Sequence, residues 1–183
     1  MIGGQTTYKI KRTYQSPKTM AEALRKDDLT TIEAGHIVNY SQASMSRFKT
    51  GAKPMPLDAA IKLAEAVDTP FLAIDLANKT IHLSAPVING DGVIKEPLAM
   101  AIRSIPEMKQ AIEAVSDSFD ELTTPVEKVL DTSDPMNTVD QLLDVMLYAT
   151  NCAAFICDEF GVSMQSKLSA RELEWRRKGI VGD

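Results

Sequence analysis

The sequence predicts a mainly α protein in two parts, with a short β element in the first, and three observations carry that prediction. Only 5% of the residues are aromatic, and Ala, Leu, Met, Glu and Lys dominate over the Val, Ile and Thr that fill strands. Apolar residues recur every three to four positions through most of the chain, the period of helices with one buried face. Charge is divided as well: residues 1–83 carry eleven Lys and Arg against eight Asp and Glu, and residues 84–183 carry nine against seventeen. A chain of 183 residues with 44% hydrophobic content can bury a sizeable core, and its length is read here as two domains.

Residues 1–18 alternate Tyr8, Ile10, Arg12 and Tyr14 with Thr7, Lys9, Lys11 and Thr13, the period of a strand. This basic arm either reaches along a DNA backbone or packs as a strand against Lys79–Ser84 or against the segment 85–95, where Asn89, Gly90, Asp91 and Gly92 signal a turn. A first helix is expected from Thr19 or Met20 to Lys26, broken by Asp27 and Asp28. Thr30 to Gly51 then reads as two short helices joined by a tight turn. Ile32, Gly35, Val38, Met45 and Phe48 supply the inward positions. Asn39 accepts the positive φ of the turn, Ser41 caps the second helix, and Gly51 is its left-handed stop.

That arrangement resembles the helix-turn-helix of the lambda-repressor-like (Xre) family, in which a small residue, a turn residue four later, a glutamine seven later and an aliphatic ten later recur. Here they are Gly35, Asn39, Gln42 and Met45. The resemblance continues through Arg47, Gly51 and the helical patterns PLDAAIKLAEAV and DTPFLAIDLA, covering about residues 19–77. The chain departs from the family at Gly35, where Ala is more frequent, at Asn39, where Gly is, and at Thr31, which replaces the usual glutamine. The resemblance implies a bacterial or phage transcriptional regulator that binds double-stranded DNA as a dimer. The implied base contacts are Ser41, Gln42, Ala43, Ser46 and Arg47, on the outer side of the second helix. Phosphate contacts fall to Lys18, Thr19, Thr31, Lys49, Thr50 and Lys53, which flank that helix or begin the first two. Residues 1–53 hold nine of the positive charges against four negative, which suits this end of the chain to phosphates.

Beyond the motif, Ala60, Ile61, Leu63, Ala64 and Val67 form the expected buried face of a further helix, and residues 78–95 read as a linker or short hairpin. Residues 96–183 form a second, helical domain, a bundle. In it Leu98, Ile102, Ile105, Met108, Ile112, Val115 and Phe119 make one stripe, with Pro106 kinking or restarting the helix. After a connection over 123–137, Thr138 and Gln141 form a capping-box pattern that opens a long helix ended by Gly161, and Ser163 caps a last one. On the long helix Leu142, Met146, Ala149, Ala153, Ile156 and Phe160 form a stripe suited to oligomerisation, with a homodimer expected.

Other function classes find less. His36 and His82 have no second ligand at metal spacing, so neither a metal nor a cofactor is expected, and no nucleophile shows a positioned base. Cys152 and Cys157, five apart on one helix, read as free buried thiols of a cytoplasmic protein. The apolar run Val145–Cys157 is too short to span a membrane. The segment from Gln141 to Met164 is similar to the last helices of MazG-like nucleotide pyrophosphohydrolases. Gln141 stands where that family has a magnesium-binding Glu, only Asp144 remains, and Asp120, Glu121 and Glu127 do not reproduce its acidic cluster. A phage-type protein that binds and inhibits a host protein is the other alternative.

Overall fold

The computed structural model describes residues 10–67 and 69–182. It is mainly helical, and among the described residues nine α-helices accompany one pair of two-residue strands. The chain divides into two compact units, one formed by residues 1–86 and 161–183 and the other by residues 87–160.

In the first unit β1 (Thr13–Tyr14) pairs antiparallel with β2 (Met55–Pro56), Thr13 opposite Pro56 and Tyr14 opposite Met55. The strand expected over 1–18 is therefore two residues long where it is described; Thr7, Tyr8 and Lys9 lie outside the described residues. Neither expected partner pairs with it as a strand, although Lys11 N donates to Thr80 O at 3.3 Å. Lys79 to Ile81 belong to a helix, and residues 85–95 hold the turn at Gly90 without flanking strands. Met55 and Pro56 carry no periodic signal that would have marked them as a strand.

Five helices follow: α1 (Pro17–Lys26), α2 (Thr31–Val38), α3 (Gln42–Thr50), α4 (Leu57–Ala66) and α5 (Pro70–Ile81). Pro17 begins α1, two residues before the expected start, because proline needs no N–H partner in a first turn. The five helices enclose one core in which Tyr14, Met20, Leu24, Val38, Met45 and Phe48 are fully buried with Met55, Leu63 and Leu72. Two apolar residues expected inside are not. Ile32 is 50% exposed, since Ala34, Gly35 and Val38 form the inner face of α2 and Ile32 lies at the edge of that face beside Gly35. Ile61 is also exposed and, with Leu57, Ala77 and Ile81, lines an open apolar cavity of about 570 Å³.

A buried polar contact ties β1 to α5: Tyr14 Oη donates to Asp75 Oδ2 at 2.7 Å. Burial, then the Asp75 charge and this bond, push the phenol above the ordinary tyrosine range. Helix α9 (Met164–Arg177) is capped by Ser163, whose Oγ accepts from Ser166 N. The cations near its C-terminus pair with acids of the same helix, Arg176 with Glu172 and Lys178 with Glu174.

The second unit is built on two long helices, α6 (Pro97–Asp117) and α8 (Ser133–Glu159). Pro106 does not break α6, which runs through it as a single helix. Between the two lie the short α7 (Phe119–Thr123) and a 3-10 turn at Val126–Lys128. Helix α8 starts at Ser133, five residues before the Thr138 cap expected from sequence. Thr138 instead turns its hydroxyl across to α6, donating to Ala114 O at 2.7 Å. Small and polar residues are frequent among the buried ones: Ser104, Ala111 and Ala114 of α6 are buried beside Met100, and Thr138, Asn151 and Ala154 of α8 beside Phe155. Small side chains let the helix axes approach closely, and the bulky stripe from Leu98 to Phe119 lies outside the α6–α8 seam with only Val115 half-buried. Cys152 and Cys157 are free and half-buried.

Candidate nucleic-acid interface

Two local devices fix the α2–α3 pair. At its entry Thr30 and Glu33 form a reciprocal capping box: Glu33 N donates to Thr30 Oγ1 at 3.2 Å, and Thr30 N donates to Glu33 Oε2 at 2.8 Å. The Thr30 hydroxyl also donates to Glu33 Oε2 at 2.7 Å, and this bond, with the one from Thr30 N, stabilises the carboxylate, so the Glu33 carboxyl titrates below its usual range. Between the helices Asn39 is left-handed, with φ 59° and ψ 42°. The chain then doubles back so tightly that Tyr40 N donates to Gly35 O at 2.8 Å. A Cβ at Gly35 would stand 2.5 Å from Tyr40 O, which is why this position holds glycine in this chain.

Helix α3 begins at the Ser41 cap, whose Oγ accepts from Ser44 N at 3.3 Å, and ends at Gly51 with φ 75°. Met45 and Phe48 fix its orientation by burial, and Tyr40 packs edge-on against Phe48 with ring centroids 5.4 Å apart. With those two residues pointing inward, the helical period turns Gln42, Ala43, Ser46 and Arg47 to solvent, and all four are exposed. Their polar atoms form a strip along one helix, with donors and acceptors of the kinds that read base edges.

The flanking residues divide into those that are presented and those that are used internally. Lys18, Lys53 and Thr50 are exposed, and Lys49 and Thr31 are partly so. Lys53 follows the α3 cap, held by its N–H to Arg47 O at 3.2 Å, and its ammonium lies 5.9 Å from the Phe48 ring centroid. Thr50 donates its hydroxyl back to Ser46 O at 2.9 Å, which leaves it only acceptor capacity toward a ligand. Ser41 is likewise engaged as a cap, so its side chain serves the helix first. Thr19 is a correction. It is buried, and its Oγ1 accepts from Ser16 Oγ at 3.2 Å, so it is not presented to a phosphate.

Gln15 was not among the expected residues. Its Nε2 donates to Gly51 O at 2.7 Å, joining the segment before α1 to the end of α3. No sequence period marks such a contact between residues 36 positions apart.

The residues of the expected oligomerisation stripe lie on one side of α8, with Leu142, Met146, Ala153, Ile156 and Phe160 exposed and Ala149 partly so. Of the residues weighed for magnesium, Asp144 is exposed on α8, Gln141 Oε1 is buried without a hydrogen-bond partner, and Asp120 and Glu121 lie on α7. Among the described residues no helix is long and apolar enough to cross a membrane. No protein-family model matches the chain, and no curated protein or solved structure matches it.

Proposed function

We propose that this chain is a sequence-specific DNA-binding transcriptional regulator of the lambda-repressor-like kind, with α3 as the helix that enters the major groove. One observation carries the reading: α2 and α3 are held at a tight left-handed turn, and α3 keeps Gln42, Ala43, Ser46 and Arg47 exposed above a buried Met45 and Phe48. A helix reads DNA when its buried side fixes its angle and its outer side offers hydrogen-bonding groups at one-turn spacing. Gln42 can pair with adenine through N6 and N7, and Arg47 with guanine or a phosphate. Lys18, Lys49 and Lys53 then position the helix through the backbone without reading sequence. A single helix covers a short half-site, so the chain binds as a dimer on a two-fold operator.

The test is selection of bound duplexes from random sequence by the full chain, followed by footprinting. The reading expects a two-fold motif and an affinity that falls steeply with salt. Recovery of unenriched sequence would refute it and favour a role in protein contact.

A further inference from the structure

The second unit is a hairpin of two long helices. Helices α6 and α8 pack antiparallel, the Thr138 bonds to Ala114 and Ser118 fixing the end of α6 beside the start of α8. Their shared seam uses positions 100, 104, 107, 111, 114 and 118 against 138, 141, 145, 148, 152 and 155, each spaced alternately three and four apart, the repeat of left-handed helix bundles. A second set with nearly the same repeat runs beside the first on both helices. On α6 it is Leu98, Ile102, Ile105 and Ile112; on α8 it is Leu142, Met146, Ile156 and Phe160.

On α8 the outer set lies about 90° beyond the seam in the direction of residue progression, and on α6 Met108, Ile112, Val115 and Phe119 lie about 60–120° beyond it. Because the helices are antiparallel, rotations in the same sense carry these residues to one side of the hairpin, while Leu98, Ile102 and Ile105 lie further round α6. A groove of about 560 Å³ confirms the side, since Met108, Ile112, Val115 and Phe119 line it together with Leu142 and Val145. The opposite side of α6 carries Arg103, Gln110 and Asp117, all exposed.

We infer that a second copy of the chain covers this face, so that two α6–α8 hairpins make a four-helix bundle. The size of the face fits. Ile112 is 68% exposed, Leu142 49% and Phe160 74%, and the other large side chains of the face are similar. At roughly 100 Å² of apolar surface per fully exposed large side chain, Met108, Ile112, Phe119, Leu142, Met146, Ile156 and Phe160 offer on the order of 370 Å². That is most of the apolar share of the about 800 Å² that each partner buries in a standard interface. The hairpin also needs the cover to be present always, because its own seam holds only Met100, Val145, Tyr148 and Phe155 as large side chains among Ser, Ala, Thr, Gln, Glu and Cys, and two helices alone bury a limited core. Another copy is the one partner present whenever the chain is. A symmetric pairing needs no further surface, since each hairpin brings the same repeat to the other.

This inference stands on α6 and α8 alone, and its experiment contains no DNA. Sedimentation equilibrium of the full chain should give a dimer at low micromolar concentration. Ile112→Glu and Leu142→Glu should each weaken self-association by at least about a hundredfold, because a carboxylate would be buried unpaired, while Gln110→Glu on the opposite side should leave it unchanged. Should either variant unfold, the wild-type chain decides the matter by its melting temperature, which must rise with chain concentration if the bundle forms between copies. A wild-type monomer at tens of micromolar, dimers undisturbed by both glutamates, or a melting temperature independent of concentration over a hundredfold range would each overturn it.

Discussion

Gly35→Ala tests the α2–α3 turn, because two effects of opposite sign compete there. Alanine in a helix interior is favoured over glycine by about 1 kcal/mol, so an unconstrained site would become more stable. Here the added Cβ would lie 2.5 Å from Tyr40 O, and the atom in its way is backbone, inside a turn already held at positive φ by Asn39. To relieve the contact the turn must open, weakening the Tyr40 N to Gly35 O bond and moving Tyr40 off the Phe48 ring. Overpacking costs about 1–3 kcal/mol and a lost hydrogen bond about 0.5–1.5 kcal/mol, so after the helix gain the net loss is roughly 1–3 kcal/mol. Urea unfolding of the full chain, followed by far-UV circular dichroism, measures it as a lower midpoint at unchanged slope. A midpoint that rises would refute the reasoning, since it would mean that the turn has slack and that α3 is not held against α2 by this contact.

Four other changes probe separate parts of the account. Tyr14→Phe removes the donor to buried Asp75 Oδ2 and should destabilise by about 1–3 kcal/mol. The raised phenol pKa also fixes a pH signature. The folded chain keeps this proton after the unfolded one has lost it, so the contribution is complete below about pH 10 and declines as pH rises beyond it. Denaturant midpoints at pH 8 and pH 11 should show that alkaline loss in the wild type and less of it in Tyr14→Phe; identical losses would remove Tyr14 as the cause. Thr30→Ala should lower stability by the roughly 0.5–2 kcal/mol of a lost N-cap. Because the folded Glu33 carboxyl is held low, its contribution is present above its unfolded pKa and disappears as pH falls, so the variant should lose less than the wild type between pH 6 and pH 3. Lys53→Ala should reduce the slope of log affinity against log salt by about one, measured by fluorescence anisotropy; an unchanged slope would leave Lys53 as a solvated cation beside Phe48. Gln42→Ala should cost about 1–3 kcal/mol at the cognate duplex and relax one base position.

What the sequence reveals and what it hides follows from the range of the interactions involved. The turn at Asn39, the Ser41 cap and the Gly51 stop are legible because each is decided within four residues by backbone conformation and short side chains. The exposed strip of α3 is legible for the same reason, once Met45 and Phe48 are taken as inward. Glu33 could have been found as well, since Thr30 and Glu33 have the spacing of a capping box. The Thr138 and Gln141 pair has that spacing too, yet it sits inside α8, where Thr138 bonds to α6 instead. The β1–β2 pairing, the Tyr14 to Asp75 bond and the Gln15 to Gly51 bond join residues 36 or more positions apart, and no local pattern encodes them.

Periodicity misleads in one systematic way. It finds the largest side chains and takes them as the buried face, which places Ile32 and Ile61 inside. Helices that approach closely use their smallest residues instead, as Ala34 and Gly35 do in α2 and Ala111 and Ala114 do in α6. The large residues are then left for another surface. Thr19 is hidden by similar logic: it was expected at a helix start with its hydroxyl free, but α1 begins earlier, at Pro17, and Thr19 falls on the inner side.

The central claim is that α3 reads base sequence, and its most direct test is the specificity ratio of the full chain. Affinity for a selected duplex and for a scrambled one is compared at fixed salt, for the wild type and for Gln42→Ala. The account predicts that the ratio falls by roughly five- to 150-fold in the variant, the equivalent of about 1–3 kcal/mol, while affinity for scrambled DNA hardly changes. Equal losses on both duplexes, or a wild-type ratio near one, would contradict it.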